Sequence, residues 1–163
     1  MLFRSPNSDA DFTLTVTATS TESDNGDAAT ITAQIPVSVT AVADAPTLVV
    51  GPATGSEDSA IPVSITSALT DLDRSEILSV TISGAPSGAV LSAGTANVDG
   101  SWTLSPAQLQ GLTITPPPNS DADFTLTVMA TSTESDNGSA ATVTVQIPVG
   151  VIAIADGMLR RGL

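Results

Sequence analysis

The chain has 163 residues, with 17 acidic side chains against four arginines, a net charge of −13, and no lysine, histidine, cysteine or tyrosine. This charge argues against binding to nucleic acid and to anionic membranes, both of which require basic residues. Without histidine and cysteine the chain has no Ser–His or Cys–His pair and no ordinary zinc ligands. Its carboxylate, amide and carbonyl oxygens suit hard cations, calcium above all.

The first predicted elements belong to a stretch that the chain contains twice. "PNSDADFTLTV" begins at Pro6 and again at Pro118, and aligning 6–44 with 118–156 pairs 39 residues, of which 32 are identical. The sequence is therefore a tandem repeat with a period near 112 residues. We expect 45–156 to be a complete repeat, 1–44 the C-terminal two-strand fragment of a preceding repeat, and 157–163 a tail outside the repeat.

Alternation of apolar and polar residues predicts strands throughout the complete repeat. In "DFTLTVMATSTE", Phe124, Leu126 and Val128 alternate with threonines, as in a half-buried strand. The predicted strands are 46–50, 60–66, 77–83, 89–92, 101–104, 111–115, 123–132 and 141–152, with one helical turn in "SPAQLQGL". Strands this short and this frequent predict an all-β fold, an antiparallel two-sheet sandwich of the immunoglobulin-like kind.

Single residues refine this prediction. Pro148 cannot donate a hydrogen bond to a neighbouring strand, which predicts a sheet edge or a bulge at that position. Trp102 and Phe124 are the only large aromatic residues of the repeat, so aliphatic side chains must fill the core, and Trp102 is interpreted as a core anchor. Asp99-Gly100 is typical of a hairpin turn.

The extra strand pair of 1–44 raises the question of which copy completes the sandwich. Two strands alone rarely hold together in water. The connection "AVADAPT" spans roughly 23–25 Å when stretched, whereas the module is about 40 Å long, so residues 6–44 should not replace 118–156. We expect residues 1–43 to fray or to exchange with the identical strands of another molecule, giving a strand-swapped homodimer.

Most acidic residues occur as close pairs in predicted turns, and like charges placed together repel unless a cation offsets them. Successive loops of a sandwich alternate between its two ends. "DLDRSE" and "ESDNG" therefore fall at one end with Asp44, and "SEDS" and "PNSDAD" fall at the other end with Asp156. This placement predicts two acidic caps at the junctions between repeats.

The stretch Asp121–Asp156, together with "AVADAPTL", resembles the cadherin pattern of an acidic pair, a Thr/Val-rich strand, an acidic-glycine turn, a final strand and a linker that ends in Asn-Ala-Pro. The segment "EDSAIPVSITSALTDLDRSEILSVTISGAPSGAV" and its continuation to "FTLTV" resemble the cadherin-like repeats of large RTX-type bacterial adhesins exported by type I secretion. The resemblance covers about 6–156 of the chain. It implies calcium-joined repeats on the surface of, or secreted by, a Gram-negative bacterium.

The resemblance also implies calcium ligands, which it assigns by motif. Asp71 and Asp73 match the Asp-x-Asp after the second strand, Asp44 matches the linker aspartate, and Asp136 with Asn137 matches the last turn. The remaining implied metal ligands are Asp9, Asp11, Glu57, Asp121, Asp123 and Asp156. The linker "ADAP" lacks the extra Asn and Asp of cadherins, which implies fewer ions per junction, and the junction of residues 44, 71 and 73 is favoured.

Three functions follow as hypotheses. The favoured one is a calcium-stiffened structural and adhesive module whose partners are neighbouring repeats and a surface or glycan receptor. The alternative is a sandwich that binds a glycan or ice directly through its threonine-rich faces, although threonine is common on exposed sheets. An enzyme is disfavoured, because the paired carboxylates lie at separate ends and no pocket-forming aromatic residues accompany them.

Overall fold

The computed structural model describes residues 9–155, which divide into two compact units on either side of the Val42–Ala43 bond. All regular structure in the described range is β-strand apart from one 3-10 helix at Pro106–Leu109. Residues Phe12–Thr21 (β1) and Ala28–Val37 (β2) form the first unit. The second unit contains β3 (Thr47–Val50), β4 (Ala53–Ser56), β5 (Ile61–Pro62), β6 (Ile65–Ala68), β7 (Glu76–Ser83), β8 (Val90–Leu91), β9 (Thr95–Ala96), β10 (Trp102–Leu104), β11 (Thr113–Thr115), β12 (Phe124–Glu134) and β13 (Ala140–Ile152).

The first unit is an antiparallel hairpin, which we call the N-terminal hairpin. Its ten residue pairs run from Phe12 opposite Val37 to Thr21 opposite Ala28. The turn is closed by a hydrogen bond of 2.9 Å from the Gly26 N–H to the Glu22 carbonyl. Gly26 has a φ of 78°, a conformation that a residue without Cβ adopts at little cost.

The second unit is a sandwich. One layer is a six-stranded sheet in the order β4-β13-β12-β7-β10-β9, and the facing strands form the ladders β5-β11-β8 and β3-β6. Strands β12 and β13, which we call the closing hairpin, lie inside the six-stranded sheet, because β7 pairs with β12 from Thr127 to Glu134 and β4 pairs with β13. The predicted all-β sandwich is thus the observed fold.

Aliphatic side chains form a single core between the two layers. Ile82, Ile114, Leu126 and Ile147 are each no more than 1% exposed, and every fully apolar buried residue is Ala, Val, Leu or Ile. Trp102 and Phe124 are only partly buried and pack against this core from its margin. The aliphatic core was expected from the sequence, whereas Trp102 is a marginal contact rather than a central anchor.

The strand assignments differ from the prediction in three places. Residues Ala53–Ser56, predicted as part of a turn, form β4, which is parallel to β13 and is the one exception to the antiparallel pairing of the described residues. The predicted strand 60–66 is divided: β5 pairs with β11, and β6 pairs with β3. The short strand β9 lies between the predicted strand 89–92 and the predicted turn 97–100, in residues for which no strand was predicted.

Pro148 lies where the sequence places it, on an open edge. The pairing of β13 with β4 begins only at Val149, so residues up to Pro148 have a strand neighbour on one side, where Pro148 faces Thr125 of β12. The Asp99-Gly100 turn is also observed, with Gly100 at a φ of 83°. Between residues 9 and 155 no helix has the length and apolar character that crossing a bilayer would demand.

Candidate metal-binding clusters

Two glutamates occupy inward-facing positions at the same end of the six-stranded sheet. Glu76 begins β7, Glu134 ends β12, and the two residues are directly opposite each other in the antiparallel ladder. Only 6% of Glu76 and 3% of Glu134 is exposed. Opposed carboxylates in a buried position destabilise a fold by repulsion and desolvation unless hydrogen bonds or a cation offset them.

The linker before β3 offsets part of this destabilisation by donating a hydrogen bond. One carboxylate oxygen of Glu76, Oε1, accepts a hydrogen bond of 2.6 Å from the Asp44 N–H. The other oxygen, Glu76 Oε2, is buried and has no hydrogen-bond partner among the described residues. A buried carboxylate oxygen without a donor is costly, and its environment therefore favours an additional positive group.

Loop contacts bring three chain segments together around these glutamates. The Ser135 N–H donates to the Ser75 carbonyl at 2.9 Å, which joins the loop before β7 to the turn after β12. The Ala43 N–H donates to Ser139 Oγ at 3.2 Å, which joins the linker to the same turn. We call this end the first acidic cluster; it consists of Asp44, Asp71, Asp73, Glu76, Glu134 and Asp136.

The loop Asp71–Ser75 holds its carboxylates by local hydrogen bonds. Asp71, which is only 6% exposed, accepts the Asp73 N–H at 2.9 Å, and Asp73 accepts the Ser75 N–H at 2.8 Å. The Ser75 hydroxyl beside the carboxylate, and then this N–H, lower the pKa of Asp73. Arg74 between them has a φ of 79°, which is uncommon for a residue with a side chain.

A second acidic cluster lies where β13 ends. Glu57, 8% exposed, accepts the Ile154 N–H at 2.7 Å, and Asp123 accepts the Val151 N–H at 2.7 Å. Asp58 accepts the Asn119 N–H at 2.9 Å, which joins "SEDS" to "PNSDAD". Each of these three carboxylates accepts a backbone N–H, as Glu76 Oε1 does, but the buried unpartnered oxygens among the described residues do not include theirs. Asp121 beside them is exposed.

The N-terminal hairpin repeats one of these latches. Asp11, the counterpart of Asp123, accepts the Val39 N–H at 2.8 Å and the Ser38 hydroxyl at 3.1 Å. Val39 is the counterpart of Val151, so the same carboxylate holds the same backbone position in both copies. This hydrogen bond gives Asp11 and Asp123 a structural role in addition to the predicted metal role.

The structure therefore places the predicted site residues in separate groups. Asp44, Asp71, Asp73 and Asp136 lie in the first cluster, Glu57, Asp121 and Asp123 in the second, Asp9 and Asp11 in the N-terminal hairpin, and Asp156 outside the described residues. In the part of the chain from 9 to 155, no three acidic side chains converge closely enough to hold a metal ion by themselves.

Sequence reasoning did not assign Glu76 and Glu134 as ligands, although the sequence contains a signal for them. Glu76 is in phase with Leu78, Val80 and Ile82, and Glu134 is in phase with the buried residues of β12. Since side chains alternate between the two faces of a strand, this parity directs both carboxylates inward. An acidic residue in phase with a core stripe is rarely left without a partner.

Searches with the sequence found no matching protein-family model and no match among curated proteins.

Proposed function

We propose that the chain is a calcium-binding structural repeat of an extracellular adhesin, in which a divalent cation at the first acidic cluster stiffens the junction with the adjoining repeat. The observation that carries this proposal is the buried, opposed pair Glu76 and Glu134, in which Glu76 Oε2 has no hydrogen-bond donor from residues 9–155. All candidate ligands are oxygen atoms, as calcium prefers.

The chemistry of the cluster supports a hard cation over other compensating groups. Of the four arginines only Arg74 lies between residues 9 and 155, so the described sandwich has almost no basic side chains with which to neutralise its acids. Calcium takes six to eight oxygen ligands, more than the buried glutamates and Asp71 provide. Neighbouring-repeat carboxylates, backbone carbonyls and water would complete the set, which agrees with a junction site rather than a closed internal one.

The resemblance to cadherin-like repeats also supports a calcium-binding repeat, and it favours an extracellular location. A module of this kind is a rod segment on the cell surface or in a secreted adhesin, and extracellular calcium modules have Kd values of about 0.1–1 mM. Without the ion, repulsion among the clustered carboxylates leaves the junction flexible. With it, the junction becomes rigid.

Direct recognition of glycan or ice has weaker support. Serines and threonines do form rows across the outer face of the six-stranded sheet, for example Thr142–Thr131–Ser79. Met129, however, stands in the central row between Thr81 and Thr144, at the position of Thr17 in the first copy, and it is 37% exposed. A methionine there interrupts the regular hydroxyl array on which such recognition would depend.

Thermal unfolding of the full chain in calcium tests the proposal. For a site with a Kd of about 0.1 mM, calcium at about 10 mM stabilises the native state by about 2.7 kcal/mol, equivalent to a Tm increase of about 10 °C. Magnesium at the same concentration should give a much smaller increase, because it prefers six ligands in near-ideal octahedral geometry.

Matched variants assign the response to the cluster. Glu134→Gln and Glu76→Gln should lose most of the calcium-dependent Tm increase, and should melt higher than wild type in chelator because one of two opposed charges is gone. Glu22→Gln, the same substitution at the counterpart of Glu134 in the exposed hairpin, should respond as wild type does. An unchanged Tm with no calorimetric heat, or equal responses to calcium and magnesium, would contradict the proposal.

A further inference from the structure

The N-terminal hairpin presents an apolar face that is exposed over most of its length, with Phe12 and Val37 at its open end partly buried. Leu14 and Val16 are each 48% exposed, Ile35 is 49% exposed and Ile31 is 72% exposed. Their register places them on one face, with Leu14 opposite Ile35 and Ala18 opposite Ile31. Among the described residues β1 and β2 pair only with each other, so both outer edges of the hairpin also have open backbone groups.

Most of the same face is buried in the closing hairpin, where Val143, the counterpart of Ile31, is partly buried. Leu126, Val128 and Ile147, the counterparts of Leu14, Val16 and Ile35, are each no more than 1% exposed. They belong to the core that includes Ile61 and Ile114 of the facing ladder. The outer edge of β12 is also occupied, because β7 pairs with it and sets Ile82 opposite Val128 and Val80 opposite Ala130.

Everything that covers the closing hairpin comes from one continuous piece of chain, residues 43–117, which we call the sandwich body. Residues 9–155 contain one sandwich body and two nearly identical hairpins. Exchange of hairpins between two molecules therefore buries one face for every face that it exposes. A strand-swapped homodimer leaves one uncovered hairpin per chain, as the monomer does, and gains no apolar burial from the exchange.

We propose that the N-terminal hairpin is a docking element for a second sandwich body, a polypeptide with the sequence character of residues 43–117 that lacks a closing hairpin of its own. Recognition has two components, an aliphatic face that completes a core and an open edge on β1 that accepts an antiparallel strand like β7. The register follows from the second unit: Val16 lies opposite the counterpart of Ile82, and Ala18 opposite the counterpart of Val80.

This docking goes beyond the proposed metal function and uses different contacts. Its contacts are backbone pairing and aliphatic burial, whereas the metal proposal depends on carboxylates at the end of the sheet. In the docked register Glu22 lies opposite the counterpart of Glu76, so docking would also create a second opposed glutamate pair.

A lengthened chain tests the proposal directly. Since Pro118 follows residue 117 and matches Pro6, a copy of residues 43–117 placed immediately before Pro6 keeps the natural order of the repeat. We expect amide hydrogen exchange of residues 12–37 to slow by at least about 100-fold relative to the original chain, toward the rates of residues 124–149. The measurement is made in chelator, so that failure of the metal proposal does not affect it.

A matched pair of variants separates docking from misfolding. Leu14→Asp with Val16→Asp in the lengthened chain should return residues 12–37 to fast exchange, while protection of 124–149 reports that the original sandwich is intact. Fast exchange of 12–37 in the unsubstituted lengthened chain, with 124–149 protected, would overturn the proposal. So would a discrete dimer of the original chain, by sedimentation, in which 12–37 is already protected, because the occupant would then be a second copy.

Discussion

Residues 12–37 and residues 124–149 form hairpins with the same ten-pair register, the same turn hydrogen bonds and the same aspartate latch, yet they differ in burial. Leu14 is 48% exposed and Leu126 is 0% exposed. The hairpin itself is therefore a property of the local sequence. Whether its apolar face is buried depends on which other residues of the chain pack against it.

The comparison separates local from tertiary contributions to stability within one molecule. The alternation of apolar residues and threonines, the left-handed glycine after Asn25 or Asn137 and the carboxylate latch are present in both copies. Only the closing hairpin adds burial of the apolar stripe, which is the dominant favourable term in folding. Paired substitutions at counterpart positions therefore measure what burial contributes.

Truncation of the central leucine should give the largest difference between the two copies. Leu126→Ala opens a cavity in a closed core and should lower the free energy of unfolding of the sandwich by about 3 kcal/mol. Leu14→Ala, on the exposed face, should change it by less than about 0.5 kcal/mol. Chemical denaturation monitored by Trp102 fluorescence, which reports the sandwich alone, checks both values; equal effects would mean that both faces are buried in solution.

The turn glycines should give a smaller difference. Gly138 and Gly26 have φ values of 74° and 78°, and a Cβ at either position meets no atom within 4 Å, so only backbone strain opposes alanine. Gly138→Ala should destabilise the sandwich by about 1 kcal/mol, whereas Gly26→Ala should leave the Trp102 transition unchanged. A loss well above 1 kcal/mol at Gly138 would indicate that the turn after β12 is packed more closely than the structure has it.

The smallest predicted effect concerns pH and a residue with no counterpart in residues 9–42. Donation from the Ser101 hydroxyl at 2.7 Å, and then from the Ser101 N–H, lowers the pKa of Asp99 below its ordinary value of 3.8. A lowered native pKa contributes stability that is present above pH 3.8 and is lost as the pH falls through the lowered value. Asp99→Asn should therefore lower the Tm slightly at about pH 6, with the difference disappearing toward about pH 2.

Asp24→Asn, in the turn of the N-terminal hairpin, serves as the control for this experiment. It should leave the Trp102 transition unchanged at both pH values, because residue 24 lies outside the sandwich unit. A constant difference between wild type and Asp99→Asn across the pH range would show that the hydrogen bonds from Ser101 do not depend on the charge of Asp99.

Much of the fold could be predicted from sequence because the long strands carry an unambiguous period. Buried and more exposed positions alternate along β7, β12 and β13, and nearly all loops between strands contain Gly, Pro, Asn or Asp. The segregation of acids into two ends also follows from chain order, since successive loops of a sandwich alternate between its ends. The contacts between Ser75 and Ser135, and between Asp58 and Asn119, are consistent with that reasoning.

Strand β4 could not be predicted, because its residues are small and do not show a clear alternation of apolar and polar side chains. Ala53 is 2% exposed, and a Cβ on Gly55 would lie 2.7 Å from Ile61 Cγ1. The backbone of β4 therefore approaches Ile61 so closely that only small residues fit. In sequence the same small residues, between Pro52 and Ser59, are indistinguishable from a turn.

The sequence predicted which end of the sandwich carries the first acidic cluster, but it did not predict all of the residues that form it. Motif matching selected the exposed loop residue Asp136 and passed over Glu134, two residues earlier, which is 3% exposed. Counting positions along β12 from Leu126 would have identified Glu134 as inward-facing. The absence of a donor to Glu76 Oε2 depends on the packing of linker and loops, and no sequence pattern could reveal it.

The position of β12 between β13 and β7 has a consequence for synthesis of the chain on the ribosome. Of the described strands, β12 and β13 are translated after all the others. Until residues 118–152 emerge, the sandwich body therefore has an unpaired edge on β7 and an uncovered apolar face. During that delay another nascent or finished molecule can insert its own nearly identical strands. The spacing of ribosomes on the message, and the speed of translation through this region, would then influence how much of the protein folds alone.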